Sequence, residues 1–118
     1  MGLLAIDAAT EKKAEDPVLL DLAGRSSIAD YFVVLTGTSD PHVLTIADAV
    51  VDRIKREKVR VLGVEGQESA QWVLIDAGYV VIHVFRADAR AFYDIDGLWP
   101  DAARVSIPGA RQALTSGW

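Results

Sequence analysis

Two apolar runs flank an Asp-Ala-Gly turn in residues 71–85, QWVLIDAGYVVIHVF, and both carry apolar side chains on alternate and intervening positions. The pattern predicts a β-hairpin whose sheet is covered on both faces. With Ala77-Gly78 as the turn, Asp76 would face Tyr79, Leu74 would face Val81 and Trp72 would face His83. Because strand side chains alternate, Val73, Ile75, Val80, Ile82 and Val84 share one β-branched face. The other face carries Trp72, Leu74, Asp76, Tyr79, Val81, His83 and Phe85, a mixture of aromatics, an acid and a histidine that fits an interface centre as well as a core. Either the N-terminal helix or the 88–99 segment covers this second face, or a partner does. Self-coverage is the simpler reading for Val81, His83 and Phe85, and for Trp72, Leu74 and Asp76 both readings stand.

The rest of the chain supplies what packs around that hairpin. Residues 3–14 read as a weakly amphipathic helix stopped by Glu15-Asp16-Pro17, since proline disfavours helical geometry in the residue before it. Residues 18–22 read as a strand. Tyr31 to Thr36 is apolar without alternation, as in a central strand buried on both faces. Asp40 then Pro41 is a good helix start, with a side-chain acceptor at the cap and a proline at the first position. Val43, Ile46, Ala47, Val50 and Ile54 follow at helical spacing, with Thr45, Asp48, Asp52, Arg53, Lys55 and Arg56 opposite, so a helix over 41–57 buries one stripe. Residues 59–64 read as the next strand, and a strand-helix-strand unit of this length implies a crossover to a parallel neighbour. Asp88 can cap a short helix through Tyr93. The expected architecture is α/β, a mixed β-sheet of about five strands flanked by helices, forming a single domain over 1–99 with 100–118 as a flexible C-terminal tail.

Composition narrows the chemistry. The 118 residues carry 17 Asp and Glu against 12 Lys and Arg, a formal net charge of −5. That argues against binding nucleic acid, which draws its free energy from clustered cations displacing counterions, and suits a basic protein partner. No cysteine is present, which excludes disulfides, thiolate zinc sites and a thiol nucleophile. The N-terminal stretch lacks the basic start and apolar run of a signal peptide, and no run reaches the roughly 18–20 apolar residues of a membrane span, so a cytoplasmic location is expected.

Catalytic signals are weak. Thr36-Gly37-Thr38-Ser39-Asp40 joins a strand to a helix N-terminus and could present N–H groups to a phosphate. With one glycine, no lysine and an acid at its end, it reads better as a turn and cap. Asp94 and Asp96 could hold a divalent metal, but fit a solvated acidic turn better. His42 and His83 have no carboxylate at a motif spacing, and no serine lies in a G-x-S-x-G context. No catalytic residue, cofactor or metal site is expected.

The ordered series Asp30-Tyr31-Phe32-Val33-Val34, Thr36-Gly37-Thr38-Ser39, Ile46-Ala47-Asp48, Glu65-Gly66, Trp72-Val73-Leu74-Ile75-Asp76, Val81-Ile82-His83-Val84-Phe85, Arg90, Tyr93 and Leu98-Trp99 resembles the ribosomal silencing factor (Iojap-like) family. The resemblance implies a non-enzymatic translational repressor that binds ribosomal protein fourteen of the large subunit and blocks subunit joining. It also implies a nucleotidyltransferase-like topology without the catalytic acids, and a homodimer when free. Carried over by position, Trp72, Leu74 and Asp76 would form the centre of the contact, with Glu65, Gly66, Tyr93 and Trp99 around it. The competing readings are a nucleotide-binding or nucleotidyltransferase-like enzyme using the 36–40 loop, and a homodimeric interaction module unrelated to the ribosome.

Overall fold

The computed structural model describes residues 2–24, 26–27, 29–98 and 102–105. Its centre is the apolar strand β2 (Tyr31–Gly37), which lies parallel to β5 (Val80–Arg86) and antiparallel to β1 (Glu15–Asp21). Strand β4 (Trp72–Asp76) pairs antiparallel with β5, the short β3 (Gly63–Glu65) pairs antiparallel with β4, and β6 (Ala103–Arg104) closes the far side on β1. The result is a six-stranded mixed sheet in the order β3-β4-β5-β2-β1-β6.

Helices α1 (Gly2–Glu11) and α2 (Asp40–Arg56) cover one face. The helical stripe of Val43, Ile46, Val50 and Ile54 meets the β-branched face of Val73, Ile75, Ile82 and Val84, with Val33 and Leu35 between them, in a single core. Full burial of each such side chain contributes about 1.5–3 kcal/mol. The small residues Ala5, Ala8 and Ala9 are buried in the same core. Arg53 fastens the two helices together, reaching Asp7 at 2.8 Å and Glu11 at 2.9 Å. On the opposite face, α3 (Ala87–Tyr93) and a 3-10 turn (Ile95–Gly97) lie over Val34, Phe85 and their neighbours.

Several local expectations change. The first helix ends at Glu11 and β1 already begins at Glu15. Lys13 adopts a left-handed conformation that turns the chain, and a bulge between Glu15 and Val18 places Pro17 where no ladder hydrogen bond needs its missing N–H. Ser39, not Asp40, caps α2, its hydroxyl accepting from the His42 N–H at 3.2 Å. Asp40 enters the first turn and is thereby free to bind Arg86 at 2.7 Å.

The strand expected over 59–64 as a parallel neighbour of β2 is not formed. Val59 and Val61 pack against the core from a segment without strand pairing, and the strand that does form, Gly63–Glu65, runs antiparallel to β4 at the sheet edge. The parallel partner of β2 is β5. The hairpin register also shifts by two: Trp72 faces Phe85, Leu74 faces His83 and Asp76 faces Val81. The turn residues are Gly78-Tyr79, because Gly78 takes the positive φ of 86° that the first turn position requires. Asp76 Oδ1 accepts from the Gly78 N–H at 2.9 Å and braces it. A shift of two preserves face parity, so the allocation of residues to faces stands.

Sequence reading set the domain edge at residue 99. Of the stretch beyond it, Ala102 is buried, Ala103 and Arg104 pair with β1, and the Val105 N–H donates to the Leu19 carbonyl. Residues 106–118 lie outside the described residues.

Candidate partner interface

Strand β4 buries Val73 and Ile75 beneath α2 and turns Trp72, Leu74 and Asp76 to the other side, where all are partly exposed. α3 covers Val34 and Phe85 on this side and reaches Trp72 through Tyr93 at its end. The Trp72 indole stacks on buried Phe85 at 5.0 Å between ring centroids and meets Tyr93, from the end of α3, at 4.8 Å. Tyr93 is itself 45% exposed, and Phe92 beside it is 81% exposed. Indole and phenol thus form one aromatic ledge, anchored at its base and open outward.

Strand β3 extends this surface. Glu65 pairs with Leu74 in the ladder and is exposed. Gly66 follows at a φ of 94°, and a Cβ there would lie 2.0 Å from the Trp72 carbonyl oxygen. The glycine lets the chain leave β3 directly over the Trp72 backbone. Farther along the same face, around Leu74, lies a concavity of about 420 Å³ lined by Leu62, Glu65, Leu74, Asp76, Val81 and His83, among others. Among the described residues no cation pairs with Glu65 or Asp76. The surface therefore joins apolar and aromatic area to two carboxylates that have no cation partner among the described residues.

The structure thus brings together Glu65, Gly66, Trp72, Leu74, Asp76 and Tyr93. Trp99 lies outside the described residues. Two residues of this surface were not among the predicted site residues, although the expected register puts His83 opposite Trp72. Leu62, 56% exposed, precedes β3 and lay inside the strand expected over 59–64. His83 sits behind Trp72, its Nδ1 accepting from the indole N–H at 3.0 Å, while Phe32 packs on it at 4.5 Å. Burial pushes its pKa down to about 4, so the ring is neutral. Face parity already put His83 beside Trp72, and the two-residue register shift makes the contact diagonal.

The loop at the start of α2 is closed on itself. The Thr38 N–H donates to His42 Nδ1 at 2.8 Å, and His42 Nε2 in turn donates to the Lys12 carbonyl at 2.7 Å. A Cβ on Gly37 would meet the Val43 backbone nitrogen at 2.9 Å, so this glycine serves helix packing. Asp94 takes a left-handed conformation at the end of α3. Among the described residues no group of three or more His, Asp or Glu could hold a metal ion, and no helix is long and apolar enough to cross a membrane.

Residues 3–116 match the family model described as ribosomal silencing factor during starvation. The ribosomal silencing factor of Halalkalibacterium halodurans is 42% identical over 106 residues, covering 90% of this chain and 91% of that protein. The Bacillus subtilis ribosomal silencing factor is 42% identical over 104 residues, covering 88% of each. A crystal structure of a Chromobacterium violaceum protein superposes with a TM-score of 0.80 at 38% identity, covering 90% of this chain and 91% of that one.

Proposed function

From the premise that the chain belongs to the ribosomal silencing factor family, a non-catalytic one, we propose that it represses translation by binding ribosomal protein fourteen of the large subunit and sterically blocking the small subunit. Family membership supports silencing in general, and the ledge at Trp72 supports this way of achieving it. The observation that carries the reading is the pose of that indole: seated on Phe85 and Tyr93 and partly open, on a face that also carries Asp76 at the far end of β4 and Glu65 across from Leu74, neither paired with a cation among the described residues. A preformed aromatic anchor on a face that also carries two carboxylates suits a basic protein surface and needs little ordering on contact.

The mechanism requires occupancy alone. Subunit joining needs a particular surface free, so a tightly held protein of this size blocks it in proportion to its concentration relative to Kd. The net charge of −5 disfavours exposed RNA and steers the chain toward basic protein. Trp72 supplies the apolar anchor, Leu74 the adjoining floor and Asp76 a partner for Lys or Arg. Glu65, Gly66 and Tyr93 shape the border, and Trp99, outside the described residues, is proposed as a further partner contact from the family resemblance alone. In the free state the chain forms a homodimer, for which exposed Phe92 and Leu98 offer apolar area. The topology is nucleotidyltransferase-like with its chemistry absent.

Sedimentation of ribosomal subunits with and without the protein tests the reading. The natural chain is expected to travel with large subunits and to suppress the joined ribosome. Trp72→Ala is expected to bind at least about thirty-fold more weakly, corresponding to roughly 2 kcal/mol for a central aromatic anchor. A natural chain that leaves subunit joining unchanged would refute the proposal.

A further inference from the structure

His83 is 3% exposed, and its ring sits between the aromatic side chains of Phe32 and Phe85. An imidazole is a costly occupant of such a slot. Its Nδ1 accepts from the Trp72 indole, so in the neutral ring the proton resides on Nε2. That Nε2 is buried with no hydrogen-bond partner among the described residues. Phenylalanine would fill the aromatic slot without an orphaned donor. What the histidine offers in return is one acceptor, given to an indole that is partly exposed.

In the free chain Trp72 is only partly buried, so losing the bond to His83 costs least there. Once a partner covers the ledge, water is excluded, and an indole without an acceptor would carry an unsatisfied donor into the interface. Nδ1 supplies that acceptor in advance from below. It also fixes which edge of the indole points inward, so the opposite edge meets the partner in one orientation.

We propose that His83 is a positioning residue for partner docking, holding the Trp72 indole N–H satisfied and oriented so that the ring can be covered by a basic protein surface without an orphaned donor. The inference rests on the docking reading above and identifies a residue that acts through the indole of Trp72 rather than through a polar contact of its own with the partner. It separates two properties that one side chain would otherwise combine: the ring costs the free fold stability and increases affinity.

The test is a double-mutant cycle on the full chain, with affinity for purified large subunits as the readout. His83→Phe is expected to keep the fold, melt no earlier than the natural chain, and bind about ten-fold more weakly. Trp72→Phe lacks the indole N–H, so adding His83→Phe to it is expected to change affinity by less than about two-fold. A merely structural role for His83 would weaken binding equally in both backgrounds, and that result overturns the proposal, as does unchanged binding of His83→Phe. Should His83→Phe fold poorly, His83→Gln retains an acceptor oxygen and is expected to bind within about three-fold of the natural chain; a loss as large as that of Trp72→Ala overturns the proposal. Failure of the natural chain to bind large subunits removes the docking reading and this proposal with it, whereas natural binding that survives His83→Phe removes this proposal alone.

Discussion

At the scale of single residues, His83 joins the stability of the fold to pH. In the unfolded chain the imidazole titrates near 6.5, and in the native chain burial holds it down to about 4. Between those values the unfolded chain binds a proton that the native chain does not, so stability falls as pH falls. The loss attributable to this ring is about 2 kcal/mol between pH 7 and pH 5, a window in which most carboxylates stay ionised. Urea denaturation at the two pH values should show it, and His83→Phe should remove that part of the pH dependence; an identical slope in the variant would place its origin elsewhere. The parity of a strand made the Trp72, Leu74 and Asp76 side legible before any coordinates. The nearness of Trp72 and His83 was legible as well, since both registers put them on one face; what the sequence did not show is that the imidazole accepts from the indole N–H, which depends on ring orientations. Ala77-Gly78 and Gly78-Tyr79 differ by one position, and the choice follows from where a positive φ is needed.

At the scale of elements, long periodic segments were readable and short edge strands were not. The stripe from Val43 to Ile54 and the unbroken apolar run of β2 each specify their element through many side chains at once. Residues 59–64 misled because Val59 and Val61 face the core from a segment with no partner strand, so their burial imitates a strand's apolar signature. The true edge strand, Gly63–Glu65, has one apolar residue to announce it, and β6 is only two residues long. What fixes β3 is its exit, where Gly66 crosses the Trp72 carbonyl. Gly66→Ala would place a side chain at a φ of 94° and against backbone that has no rotamer to change. A loss of at least about 1–2 kcal/mol is expected from the conformation alone, measured by thermal or urea unfolding. Amide exchange should quicken in β3 and the start of β4 while β2 and β5 stay protected. An unperturbed β3 in this variant would show that the glycine has no part in shaping the border of the interface.

At the scale of the whole molecule, the arrangement of charge decides how a partner is met. The cations Arg53 and Arg86 are spent inside the fold, the first tying α1 to α2 and the second tying the end of β5 to Asp40 and Asp88. Arg86 is held well above its ordinary range by hydrogen bonds to Asp88 and Asp40, and Asp88 is correspondingly depressed, so this junction stays ionised wherever the protein is folded near neutrality. Glu65 and Asp76 have no such internal partner among the described residues, and their field reaches solvent beside Trp72. Exposed charges of this kind act before contact, over a distance that salt shortens from about 10 Å at 0.1 M to about 3 Å at 1 M. In the proposed docking the indole and its neighbours act after contact, through area that salt does not screen. The two contributions therefore separate kinetically: raising ionic strength from 50 mM to 500 mM should slow association with large subunits by about ten-fold or more, with dissociation changing far less. Asp76→Asn should flatten the salt dependence of association, and Trp72→Ala should chiefly speed dissociation. Stopped-flow or surface-based kinetics would read both rates, and an association rate indifferent to salt would mean that shape, without steering by acid, brings this chain to its partner.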